Sequence, residues 1–115
     1  MPLVEITYAP DVPHKVLKEL SAILPHAVSV AVQCPEEPYD GNLQPGDVEL
    51  RFRPRGPFDS SGMALVVEVR SKWFESRAAN RQERADGLYE AVEAVMGFGE
   101  IGVYLSLPVA AWAQR

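Results

Sequence analysis

Residues 3–8, Leu-Val-Glu-Ile-Thr-Tyr, set Val4, Ile6 and Tyr8 against Leu3, Glu5 and Thr7, the two-residue alternation of a strand with one drier face. Asp11 can cap a following helix, whose first turn tolerates Pro13. Beyond it Val16, Leu17, Leu20, Ile23, Leu24, Ala27, Val28 and Ala31 keep the 3.6-residue period, which predicts an amphipathic helix over about 12–33. The stripe stays in phase past Pro25, so that proline predicts a kink rather than an end. From Cys34 to Asp47, three prolines and two glycines with no period predict a surface loop. Val48 to Arg53 alternates again, with Val48, Leu50 and Phe52 opposite Glu49, Arg51 and Arg53, and Pro54 ends this second strand. A further loop covers 54–62. Met63 to Arg70 is a nearly continuous apolar run, the pattern of a central strand buried on both faces. Ser71 to Ser76 leads into a second helix lined by Ala78, Arg81, Ala85, Leu88, Val92 and Val95, which Gly97 and Gly99 end. Ile101 to Leu107 makes a fourth strand, and the tail after Pro108 is short and apolar, with Trp112 its one large side chain.

The two halves repeat at an offset of 62 residues, Met1-Pro-Leu-Val aligning with Met63-Ala-Leu-Val. Each has the length of a strand-helix-strand unit with a right-handed crossover. The expectation is an α+β fold: one domain over 1–115, with pseudo-repeats 1–53 and 63–107 forming a four-stranded sheet that carries both helices on one face. A third strand apolar on both sides would leave an apolar patch on the bare face, so subunits are expected to associate there.

Composition narrows the function. A chain of 115 residues is one domain, and 47% hydrophobic with 23% charged residues is the balance of a globular protein rather than a disordered one. Eleven Lys and Arg against 16 Asp and Glu, a net charge of -5, repel phosphate backbones and argue against nucleic acid as a partner. No charge-free run reaches the roughly 18 residues of a membrane span, and the start lacks the basic and apolar regions of a signal peptide, so no membrane partner and a cytoplasmic location are expected. One cysteine, Cys34, cannot form an internal disulfide and is expected to be inert. With only His14 and His26 beside it, no metal site is expected.

A Met-Pro start placed directly on a strand, duplicated strand-helix-strand units and a chain of this size together resemble the tautomerase superfamily, over the whole length. The segment Arg70-Ser-Lys-Trp-Phe-Glu-Ser-Arg77 is similar to the strand-to-helix junction of its 5-carboxymethyl-2-hydroxymuconate isomerase and malonate semialdehyde decarboxylase members. The resemblance implies removal of Met1, a free Pro2 nitrogen acting as general base or acid, and assembly as trimers or hexamers around a barrel of sheets; a homotrimer is expected here. A terminal proline suits such work physically. Its secondary amine, beside a desolvated pocket and nearby cations, can have its proton affinity lowered toward neutrality, whereas inside a peptide bond the same nitrogen is a non-basic amide. The alternative is a proline opening a strand, where its missing donor matters little.

Arg70 and Lys72 fall at the exit of the third strand, near where isomerase and decarboxylase relatives keep basic residues for the substrate carboxylate, and duplication should bring this exit close to Pro2; the alternative is that Arg70 caps the strand end and Lys72 is solvated. Arg51, Arg53 and Arg55 would point to one side of an extended chain and could clamp a carboxylate, or else pair with acids such as Glu49 and Glu68. Glu49 stands where a relative carries a substrate-binding arginine, a departure from the pattern that goes with dicarboxylate specificity; Arg51 or Glu49 is expected at the pocket wall. His26 is read as packed near the apolar face of its helix. Arg77, Arg81 and Arg84 are read as a charged helix flank, and Trp73, Tyr104 and Trp112 as core or interface aromatics, Trp112 at a subunit boundary. The functional expectation is tautomerase or isomerase-type proton transfer on a small enol or α-keto carboxylic acid, with decarboxylase or dehalogenase chemistry possible on the same scaffold. No cofactor is expected. The alternative is a non-catalytic oligomer that binds a partner or small acid.

Overall fold

The computed structural model describes all 115 residues. Four strands, β1 (Leu3–Tyr8), β2 (Glu49–Pro54), β3 (Leu65–Arg70) and β4 (Ile101–Ser106), form one sheet in the order β2-β1-β3-β4. β1 and β2 run parallel, as do β3 and β4, while the central pair β1 and β3 is antiparallel. Each parallel pair is joined through a helix, so the two strand-helix-strand units of the sequence are present and meet at the middle of the sheet. The first crossover is α1 (His14–Val32). The second is broken, a short turn α2 (Glu75–Ala78) preceding α3 (Arg81–Met96). No helix is long and apolar enough to cross a membrane.

Strand parity decides which side chains meet the helices. Val4, Ile6, Leu65, Val67 and Val69 are wholly buried, and they pack with Leu20, Leu24 and Val28 of α1 and Leu88, Val92 and Met96 of α3 in one core. Pro25 is itself buried, and α1 runs on through it to Val32. Asp11 makes no cap; Pro13 occupies the N-cap position instead. Where α1 ends, its carbonyls are taken by arginines of the second half: Arg84 Nη1 donates to Ala31 O (3.0 Å) and Gln33 O (2.8 Å), and Arg77 Nε to Val32 O. The orphan acceptors of one repeat are thus satisfied by the other. Gly97 closes α3 in the left-handed region (φ 66°). Gly99 (φ 74°) lies so near β3 that a Cβ there would stand 2.8 Å from the Ala64 Cβ, so only glycine fits this turn.

The opposite face of the sheet corrects one expectation. Residues 65–70 alternate after all: Leu65, Val67 and Val69 face the helices, while Val66, Glu68 and Arg70 face away. Registered beside them are Glu5 of β1 and Arg51 of β2, with Arg51 bonded to Glu5 (3.5 Å) and Glu49 (3.7 Å), and Arg70 to Glu68 (3.1 Å). The bare face is therefore a ladder of charges rather than an apolar patch, and the burial argument for assembly through it does not hold.

Candidate functional site

The antiparallel pairing of β1 and β3 places Leu3 opposite Arg70, which carries the first residues of the chain to the exit of β3. Pro2 is buried, and its carbonyl accepts the Glu49 N–H (3.1 Å), fixing the start of β1 against β2. At this end a cavity of about 250 Å³ is lined by Met1, Leu3, Glu37, Arg70, Lys72 and Trp112, among others. Of the sequence-predicted site residues, Arg70 and Lys72 line this cavity; Pro2, between the lining residues Met1 and Leu3, is not itself on its wall. Arg70 is held by two bonds from its guanidinium to Glu68 (3.1 and 3.3 Å), and the Glu68 hydrogen bond, with that carboxylate's charge, holds its proton more tightly than usual. Lys72 has no acidic partner within ion-pairing distance and is the cavity's uncompensated cation.

Glu49 and Arg51 are not among the residues that line this cavity. They lie on the charged face of the sheet, engaged with each other and with Glu5. The three-arginine clamp does not form either. Arg55 has left the strand and donates to Met63 O, at the far end of β2 from Leu3. His26 is exposed in a groove between α1 and α3 rather than packed, and Tyr104, Trp73 and Trp112 are likewise outside the core, at 67, 45 and 54% exposure.

What lies behind the cavity is a buried arginine. Arg77 is wholly inaccessible, and its fork donates to Val32 O (2.6 Å), Lys72 O (2.7 Å), Asp40 Oδ2 (3.0 Å) and Glu37 Oε1 (3.4 Å). Its guanidinium also stands 5.4 Å from the centre of the Phe74 ring. The side chain reaches inward because α2 is a separate turn broken from α3 at Asn80. One residue thus ties the end of α1, the backbone of Lys72 and the loop acids together, through a planar fork of donors that lysine could not reproduce. Loop 34–47 gains order from two further contacts, the Ser29 hydroxyl accepting the Leu43 N–H (2.7 Å) and Ser76 donating to Glu36 (2.7 Å), which lowers the Glu36 carboxyl below its usual range.

Asp40, 2% exposed, is raised above the usual 3.8 by burial and then by the neighbouring Glu37 carboxylate, against the pull of Arg77. A carboxyl raised in the fold binds its proton more tightly there than in the unfolded chain, so its contribution is most favourable below 3.8 and falls as pH rises through the folded value. Asp40→Asn keeps an acceptor for Arg77 and no longer titrates. Its stability relative to the parent is expected to rise with pH across that window in thermal unfolding series; a constant difference between pH 4 and 7 would contradict the assignment.

No group of three or more His, Cys, Asp or Glu side chains is placed to hold a metal ion. No family model and no curated protein matches the chain. Solved structures do match at the level of fold. A macrophage migration inhibitory factor-like protein from Entamoeba histolytica superimposes with a TM-score of 0.59 at 15% identity, over 99% of this chain and 95% of its own. A 5-carboxymethyl-2-hydroxymuconate delta-isomerase does so with 0.60 at 14% identity, over 100% and 86%, and a fused 4-OT wild-type symmetric trimer with 0.60 at 14%, over 93% and 85%. The chain has the tautomerase fold that its sequence resembles, four strands and two main helices in the same α+β arrangement.

Proposed function

We propose that this chain is a proton-transfer enzyme of the tautomerase or isomerase type acting on a small enol or α-keto carboxylic acid. The observation that carries the reading is the meeting of the chain's start, Leu3, Arg70 and Lys72 around one cavity; the fold shared with an isomerase supports it. With Met1 removed, Pro2 opens the chain with a secondary amine. Lys72 holds the substrate carboxylate, and Arg70, already engaged by Glu68, contributes the smaller share. The neutral amine takes the proton from the enol oxygen and the resulting ammonium returns it to the carbon next to the forming carbonyl, which in an α-keto acid is the one β to the carboxylate, so the amine is restored after each turnover and no co-reactant is needed. The cations at the cavity favour the uncharged amine and stabilise negative charge developing on the substrate oxygen.

A charge-assisted hydrogen bond is worth about 1.5–3 kcal/mol, so Lys72→Ala should weaken an acidic substrate roughly 10–150-fold while barely affecting a neutral enol of similar shape. Arg70→Ala should do less. Steady-state kinetics on matched acidic and neutral enols checks this, and equal losses on both would show a structural role for the lysine. We also propose a homotrimer, the assembly named for one structural neighbour. Light scattering should then give three times the 12.7 kDa chain mass; a monomer at micromolar concentration would remove the assembly.

A further inference from the structure

Met1 touches two cavities. On one side is the space already described, about 250 Å³, with Lys72 and Arg70 on its wall. On the other is a space of about 440 Å³ bordered by Tyr39, Asp40, Asn42, Asp47 and Gln114. Met1 and Trp112 line both, so these two residues stand between the cavities, and Met1 is the one that processing would remove. The charge on the two sides differs in sign. The first carries Lys72, which has no ion-pair partner, with Arg70 held by Glu68 and Glu37 held by Arg77, whereas the second has no Lys, Arg or His among its lining residues and carries Asp40 and Asp47. The Asp40 charge is only partly offset, because the single guanidinium of Arg77 faces two carboxylates, Asp40 and Glu37.

We propose that loss of Met1 merges the two cavities into one chamber that flanks Pro2 and is cationic at one end and acidic at the other. It then takes a monocarboxylate carrying a hydrogen-bond donor or cationic group at its far end, such as an ammonium, amide or hydroxyl, and rejects a second carboxylate. This rests on the reading of Lys72 as the carboxylate anchor. Opposite charges a few ångströms apart in a partly dry chamber attract, and like charges there repel, enough to separate ligands of one shape by an order of magnitude or more. Asp47 is a specificity-determining residue in this account, since its side chain is exposed and its one fold-related bond, accepting the Gln44 N–H at 2.9 Å, can be kept by asparagine.

The test is calorimetric binding of three non-reacting probes of one shape, phenylacetate, 4-(aminomethyl)phenylacetate and 4-carboxyphenylacetate, to the protein with Met1 removed and to the form that retains it. In the processed protein the aminomethyl probe should bind at least about tenfold tighter than phenylacetate and the dicarboxylate at least about tenfold weaker. Asp47→Asn should cut the ratio between those two by about tenfold, with Asp40→Asn as the second variant, and the form retaining Met1 should lose the discrimination. A dicarboxylate bound as tightly as the aminomethyl probe, a ratio unmoved by both variants, or equal discrimination with Met1 in place would each overturn the two-ended chamber. If phenylacetate still binds in those cases and Lys72→Met abolishes that binding, the proposed function stands without it. If none of the three binds the processed protein, both fall together.

Discussion

Replacing Pro2 by alanine is expected to lower turnover of an enolic acid such as phenylpyruvate by roughly 10²–10⁴-fold, the usual contribution of one positioned acid-base group. Pro2 is buried at the start of β1, pinned through its carbonyl to Glu49 N, and β1 pairing with β3 holds it one residue from the Leu3–Arg70 register. A rigid ring at this point keeps the amine aimed, and its secondary nitrogen stays basic once freed. Alanine leaves a primary amine on a freer backbone, so both aim and proton affinity change while the core residues Val4 and Ile6 are untouched. The loss should fall mainly on kcat, because the proposed substrate anchor, Lys72, is retained. Parent and variant turning over equally slowly would show that Pro2 has no part in the chemistry.

The second large effect concerns Arg77. Arg77→Met removes the partner of two carboxylates, Asp40 at 3.0 Å and Glu37 at 3.4 Å, and strips the carbonyls of Val32 and Lys72 of their donor. Breaking a buried ion pair from one side typically costs about 3–5 kcal/mol, since the remaining charge stays desolvated. For a domain of this size that corresponds to a fall in Tm of roughly 10–30 °C, a large share of the 5–15 kcal/mol that holds such a domain together. Arg77→Lys keeps the charge and loses the fork, so it should fall between the two. Urea unfolding of both variants measures the effect. A methionine variant within about 1 kcal/mol of the parent would mean that the acids neutralise or rearrange at little cost.

The backbone of this fold was legible because period-2 and period-3.6 patterns report which face is dry, and residues 3–8, 48–53 and the α1 stripe carry those patterns cleanly. Residues 63–70 misled for a local reason. Val66 shares the outward parity of Glu68 and Arg70, and with Val67 and Val69 it makes the run look apolar on both sides. The approach of the β3 exit to the start of β1, with Leu3 opposite Arg70, was legible through duplication, which fixes where one must lie relative to the other. The isolation of Glu49 and Arg51 was not, because pattern places them on a face but cannot say that Glu5 lies within reach.

Arg77 was hidden by its position among charges that do lie on a helix surface. The break at Asn80 turns it inward, and no period records a break. A signal was nonetheless present: loop 34–47 holds Glu36, Glu37, Asp40 and Asp47 without one Lys or Arg, so any of these acids that became buried would need a cation from elsewhere in the chain.

The central claim is that Pro2 works as a free terminal amine, and the intact mass of the protein expressed with its natural start tests it most directly. A mass lighter than the full sequence by one methionine residue is the predicted result. A mass equal to the full sequence would leave the Pro2 nitrogen as an amide and contradict the account.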